Sequence, residues 1–221
     1  MDNGYSGLDG VESFDSALPK SEFAELRRAV PESHFDSLLS EGFRFYRTTF
    51  WYPLDRTPEN VFESVVTSLK ALANPSPDVV GVEWWFSVLR TNASPQWLLS
   101  PHFDRNDLAE HDTTKLRHPD RASVLFLNAV PYGDLVVTDQ VLTEKGPRPK
   151  QPGDMVFIRP SRNRYACFPG HLYHGVIGRM WRSKKPSKLR ISMAVNYWAE
   201  PPNTAYLADS RHSLAVLGLA D

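Results

Sequence analysis

The chain has 221 residues, 41% of them hydrophobic and 12% aromatic, enough apolar material for one full core and too much for a wholly disordered chain. Its net charge of -1 and pI near 6.7 argue against a general polyanion binder. No apolar run approaches the ~20 residues of a membrane span, and the start, Met1-Asp2-Asn3-Gly4, lacks the segments of a secretory signal.

A soluble cytoplasmic protein is therefore expected. The single cysteine, Cys167, excludes an internal disulfide and a cysteine-built zinc site, and its apolar strand context reads as a buried thiol. The charge is unevenly spread: residues 1–40 carry eight acidic against three basic side chains, and from Arg159 to Arg190 there are nine Lys or Arg and no Asp or Glu. That asymmetry predicts a basic face, read as a solvated surface balanced by the acidic N-terminal region.

In chain order, residues 1–18 are rich in Gly, Ser and Asp and predict a flexible N-terminus. Ser21 is the expected N-cap of a helix over Glu22 to Val30, followed after Pro31 by a short helix from Ser33 to Ser40 that Gly42 closes. Phe43 to Tyr52 is aromatic and β-branched and predicts a strand. Thr57-Pro58-Glu59 predicts the start of a stronger helix with apolar Val61, Val65, Leu69 and Leu72.

From Val79 the pattern changes to strands separated by turns: Val79 to Thr91, Trp97 to Asp104, Ala122 to Asn128, Asp134 to Val141, Asp154 to Ile158, Arg164 to Phe168, His171 to Ile177 and Lys188 to Trp198. Eight strands suit a double-sheet jelly roll. The expected organisation is one domain: a helical and strand support at 19–78, a β core at 79–200 and a C-terminal tail at 201–221. The polar segment from Arg105 to Arg121, with His111 and His118, predicts a loop at the barrel mouth.

Three His-x-Asp triplets occur, at His34-Phe35-Asp36, His102-Phe103-Asp104 and His118-Pro119-Asp120. The first lies in a helical run, where residues two apart do not face each other. The third flanks a proline in a polar stretch, which argues against a paired strand. Only His102 and Asp104 follow an apolar strand-like run, where period-two alternation points both to one side. An imidazole and a carboxylate so placed form two thirds of the facial triad that holds non-haem Fe(II) with open positions.

Phe168-Pro169-Gly170-His171-Leu172-Tyr173-His174-Gly175-Val176 supplies a third ligand. A turn at Pro169-Gly170 leads into a strand on which His174 shares a face with apolar Leu172 and Val176, so His174 is the better ligand and His171 reads as an ordinary histidine. Glu83 is an alternative carboxylate, but its strand offers no histidine two residues away, and it reads as structural. Further on, Arg190 and Ser192 share a strand face and together offer a guanidinium fork and a hydroxyl to one carboxylate. The spacing alone leaves open whether Arg190 does this or sits on an exposed strand face.

Taken in order, Pro101-His102-Phe103-Asp104, then Ser123-Val124-Leu125-Phe126-Leu127-Asn128 with Tyr132-Gly133-Asp134-Leu135-Val136, then Phe168-Pro169 leading to His174-Gly175-Val176, and last Arg190-Ile191-Ser192 resemble the iron(II)- and 2-oxoglutarate-dependent oxygenases, especially their prolyl-hydroxylase-like branch. The resemblance covers residues 79–198. It implies a double-stranded β-helix (jelly roll, cupin-like) core, mainly β with N-terminal helices. It also implies Fe(II), 2-oxoglutarate and O2 as cofactors, with His102, Asp104 and His174 on the metal and Arg190 and Ser192 on the distal carboxylate of 2-oxoglutarate. Two departures stand out: that branch commonly has lysine at the place of Arg190, and the gap from His174 to Arg190 is long, as if Gly178 to Pro186 were an inserted basic hairpin.

The implied reaction is hydroxylation of an unactivated C–H bond with release of succinate and CO2. Retention of Asp104 argues against the halogenating members. The implied substrate is an amino acid, a peptide or a small metabolite, and the basic segment would suit an anionic one. Nucleic acid is disfavoured, because the longer arginine-containing signature of the demethylase members is not matched at Arg190 to Tyr197. Trp84, Trp85, Trp97, Tyr132 and Tyr173 are candidates for an aromatic pocket, with core the commoner role. Two alternatives remain: a cupin-like metalloenzyme that does not use 2-oxoglutarate, and a non-catalytic β-barrel binding module.

Overall fold

The structure is a computed structural model that describes residues 8–91, 97–106, 117–178, 188–204 and 206–219. Twelve strands form two sheets among these residues. The larger is built from β1 (Glu12–Phe14), β2 (Thr49–Pro53), β3 (Gly81–Arg90), β5 (Arg121–Phe126), β9 (Arg164–Pro169), β11 (Leu189–Trp198) and β12 (Leu207–Asp209), in the order β1-β9-β5-β11-β3-β2-β12. The smaller runs β4 (Trp97–His102), β10 (Leu172–Ile177), β6 (Asp134–Thr143) and β7 (Gly146–Arg148), with β8 (Met155–Ile158) also on β6. All eight predicted strands are present, with ends within two residues of those expected. The edge strands β1 and β12 and the short β7 were not expected.

At the centre, β11 pairs with β3 along its whole length, from Leu189 opposite Arg90 to Trp198 opposite Gly81, and with β5 on its other side. Every residue of β11 is buried. Its odd positions join a cluster with Trp84, Phe86, Leu125 and Tyr165, beneath the helices α1 (Lys20–Ala29), α2 (Glu32–Ser40) and α3 (Val61–Ala73). Phe62, Val65, Val66, Leu69 and Ala73 recur at helical spacing and put one buried face of α3 on the sheet. The opposite face of the large sheet meets the small one: Ala122, Phe126, Ala166 and Phe168 pack with Leu135, Val137, Val156, Ile158 and Leu172.

Several local expectations are corrected. The N-cap position of α1 is Pro19 rather than Ser21, with no side-chain cap. α3 is capped by Asn60, not Thr57: its side chain accepts from the amides of Phe62 and Glu63, while its Nδ2 donates to the Ser210 carbonyl at 3.2 Å, so a tertiary contact selects the cap. The expected strand from Phe43 begins only at Thr49, after a 3-10 turn at Phe45–Arg47.

The described part of the expected flexible N-terminus is tied down: β1 pairs with β9, and Leu18 is buried, its backbone bridged by Asn163. The expected tail also has structure, since β12 lies parallel to β2 and α4 (Ser213–Val216) precedes buried Leu217.

The predicted basic face divides. Arg164 pairs with Asp15 at 2.7 Å, Arg159 reaches Asp134 at 3.5 Å, and Arg190 is buried. The acidic N-terminal region thus meets the basic segment directly. Most of the proposed basic hairpin, residues 179–186, lies outside the described residues, as do residues 107–116 of the predicted mouth loop with His111. Among the described residues no helix is long and apolar enough to cross a membrane.

Candidate metal centre

Strands β4 and β10 are antiparallel neighbours with His102 directly opposite His174, and the two imidazole centroids are 4.5 Å apart. Cross-strand registration therefore supplies two of the three predicted groups. Asp104 arrives by a different route from the one expected. β4 ends at His102, so period-two alternation does not place the carboxylate; it lies two residues past the strand end. Asn196 of β11 holds it there, donating from Nδ2 to Oδ2 at 3.0 Å. Asp104 Oδ1 lies 3.6 Å from His102 Nε2, and Oδ2 lies 3.5 Å from His174 Nε2. The three ligand-type atoms lie within 4.8 Å of one another.

Both imidazoles are held the same way. His102 Nδ1 sits 2.9 Å from the Ser100 carbonyl, and His174 Nδ1 sits 3.0 Å from that of Leu172. A carbonyl has no proton to give, so each Nδ1 donates, and in the neutral ring each Nε2 presents a lone pair to the shared space. Orientation of a ligating histidine by its second nitrogen is a common device of metal sites.

The electrostatics agree. Burial would raise the pKa of Asp104, but His174, His102 and Asn196 outweigh it and hold the group well below the usual carboxylate range. Burial pushes His174 down, towards the neutral form. For His102 the burial effect is outweighed by the bond and charge of Asp104, and its pKa is raised.

The other two triplets do not converge. His34 bonds the Leu217 carbonyl while Asp36 pairs with Arg90. His118 Nδ1 lies 2.7 Å from the carbonyl of Asp104, and the Asp120 carboxylate accepts from the Ser76 amide. His171 is exposed at the turn before β10. Glu83 is buried on β3 opposite Asn196. Cys167 is a buried free thiol whose pKa burial raises.

A narrow cavity between the sheets runs from the three groups to Arg190 and Ser192, with Ser87, Phe168 and Val176 along it. Arg190 is 1% exposed, so it is not on an open strand face. Its Nε donates to the Gly133 carbonyl and its Nη1 to Ser192 Oγ, both at 2.8 Å. Its Nη2 is buried with no hydrogen-bond partner among the described residues. Burial pulls its pKa down to about 10, partly offset by Asp134. Gly133 has φ +89°, and a Cβ there would meet Arg190 Cδ at 2.7 Å. A side chain at 133 is thus excluded both by conformation and by the guanidinium stem.

Sequence reasoning missed Asn196 and Gly133 as site residues. Of the predicted aromatics, Trp85 lines the site, Trp84 belongs to the helix-backed core, and Trp97 and Tyr173 lie in a separate cleft that shares His174.

No family model matches the chain, and no curated protein matches it. Solved structures do. SnoN, a non-heme alpha ketoglutarate dependent epimerase from nogalamycin biosynthesis, is 15% identical over 90% of this chain and 84% of its own, with a TM-score of 0.50. A prolyl-4-hydroxylase of Pseudomonas putida is 13% identical over 87% and 89%, with a TM-score of 0.49. HygX of Streptomyces hygroscopicus, solved with nickel and 2-oxoglutarate bound, is 15% identical over 86% and 81%, with a TM-score of 0.47. At such identities only the fold carries over from SnoN: this chain has the double-stranded β-helix that the sequence motifs imply.

Proposed function

We propose that the protein is an Fe(II)- and 2-oxoglutarate-dependent oxygenase that hydroxylates an unactivated C–H bond. The observation that carries this reading is the buried Nη2 of Arg190, a cationic donor with no hydrogen-bond partner among the described residues, at one end of a cavity whose other end holds His102, Asp104 and His174. A buried charge left unpaired is costly, and a carboxylate delivered to it would satisfy it. 2-Oxoglutarate has a carboxylate at each end, one of which would satisfy Arg190 while the other end reaches towards His102, Asp104 and His174.

The donor set fits Fe(II): two imidazoles with Nε2 forward and one carboxylate, a set that leaves open positions. The bound metal with 2-oxoglutarate and O2 would supply the oxidative decarboxylation and the C–H oxidation. The chain's own contribution is positioning. Ser100 and Leu172 fix the imidazole tautomers, and Asn196 keeps Asp104 turned towards the histidines. Ser192 sets the guanidinium plane and adds a hydroxyl beside it. Phe168, packed 4.9 Å from the His174 ring, helps keep water out of that end.

The test is anaerobic addition of Fe(II) and 2-oxoglutarate, which should produce a visible charge-transfer band. His174→Ala should abolish it and His171→Ala should keep it. Arg190→Ala should leave metal content intact and weaken 2-oxoglutarate by about 2–5 kcal/mol, as when one partner of a buried charged contact is removed. A metal signal without the band would favour a cupin-like enzyme, and no metal binding would favour a binding module.

A further inference from the structure

The wall formed by Trp85, Leu99, His102, Asp104 and Asn196 is shared with a second, wider space at the barrel mouth. Its volume of about 470 Å³ is that of a small-molecule site. Trp85, Phe103, Trp198, Tyr46 and Tyr206 give it an aromatic lining.

Two polar groups in that lining have no hydrogen-bond partner among the described residues. Trp198 is 3% exposed, yet its Nε1, which can only donate, has no partner among the described residues. Thr49, 8% exposed, likewise has an unpartnered Oγ1. Buried polar atoms are nearly always satisfied, so two exceptions in one wall point to a ligand that completes them.

Two arginines reinforce the sign. Arg47 lies over the rings of Tyr46 and Tyr206, at 5.8 and 5.9 Å. Arg105 lines the same space. Neither holds a carboxylate among the described residues, whereas Arg56, Arg90, Arg117 and Arg121 each do. The two carboxylates in the lining are already engaged, Glu83 with a partner of its own and Asp104 at the histidines.

We propose that this chamber binds a small molecule with a flat apolar body and an anionic, acceptor-only end group, a carboxylate or a phosphate, held by Arg47, Arg105 and the indole N–H of Trp198. That the molecule is the substrate rests on the oxygenase reading; that it binds does not. The apolar body lies among Trp85, Phe103 and the Trp198 ring, beside the histidines, with the anionic end reaching from the indole N–H towards Arg47 and Arg105.

The test is calorimetric titration of the full-length, metal-loaded chain with four probes on one ring system: 2-naphthoate, 2-naphthyl phosphate, 2-naphthamide and 2-naphthylmethylamine. At least one anion should bind ten-fold or more tighter than the amide and the amine, and the better of the two identifies the end group. Arg47→Gln and Arg105→Gln should each cut that preference several-fold, and Trp198→Phe, which keeps the ring and removes the N–H, should weaken the anion more than the amide.

Arg190→Met should keep the preference, which distinguishes this chamber from the inner cavity. Equal binding of the neutral or cationic probe, no binding by either anion, or a preference that survives in the Arg47→Gln/Arg105→Gln double variant would overturn the proposal. The charge-transfer band is read on the same samples. Loss of the band with selective probe binding intact sinks the oxygenase reading alone, and a band with no anion preference sinks this one alone.

Discussion

Strand β11 separates two environments that are equally buried and otherwise opposite. Leu189, Ile191, Met193, Val195 and Tyr197 face the helices and fill their space with apolar side chains. Arg190, Ser192, Ala194 and Asn196 face the small sheet and line a cavity. β3 repeats the division, with Trp84, Phe86 and Val88 on one side and Trp85 and Ser87 on the other. Burial alone therefore does not tell core from site in this protein. One face is built to close on itself, and the other holds small or polar residues that leave room and unsatisfied groups for something else.

Substitutions on the two faces should accordingly move different observables. Phe86→Ala, which removes a ring packed edge-on against Phe35, Phe62 and Trp84, should cost about 3–5 kcal/mol in denaturant unfolding while the folded fraction keeps its metal affinity. A loss of metal affinity in the folded variant would break the comparison. On the other face, Arg190→Met should remove 2-oxoglutarate binding yet stabilise the ligand-free protein by about 1 kcal/mol or more, because it exchanges a buried charge for an apolar side chain of similar reach. A melting temperature clearly below wild type would show that this face too contributes to holding the fold.

Asn196→Ala should weaken metal binding by about 10–100-fold, measured by competition with a chelator, with little change in melting temperature. The smallest effect is expected at high pH. Burial raises the pKa of Tyr165 and of Tyr197, whose hydroxyls lie 3.5 Å apart on the helix-backed face. Their folded pKa exceeds the unfolded value near 10, so their contribution is complete below about pH 10 and is lost as pH rises beyond it. Tyr165→Phe should flatten the alkaline limb of the stability curve, and an unchanged limb would place the titration elsewhere.

The eight core strands were legible because alternation and turn signals repeat along the chain, and the two histidines that converge on Asp104 were legible because each stands in a strand with apolar neighbours. Less came through where long-range contacts decide. β1 and β12 are three residues each, too short for alternation to register, and they exist because β9 and β2 offer them an edge. Asn196 carries no local sign of its task; only the fold shows that β11 meets the end of β4 there.

For Arg190 the alternation Arg-Ile-Ser-Met-Ala-Val-Asn is that of a half-exposed strand, and the second sheet that covers its polar side is remote in sequence. Asp104 was placed by the right motif for an incomplete reason, since an asparagine on the opposite sheet, rather than strand alternation, turns it inward.

The unpartnered Nη2 of Arg190 also bears on how long a molecule of this protein survives. A ligand that binds only the folded chain adds RT ln(1 + [L]/Kd) to its stability, about 2.7 kcal/mol at a concentration one hundred times Kd. The dicarboxylate proposed for this cavity would thus act as a folding partner as well as a co-substrate, and starvation for it would leave the same polypeptide more open to proteolysis. Abundance of the protein would then track supply of the metabolite with no regulator in between.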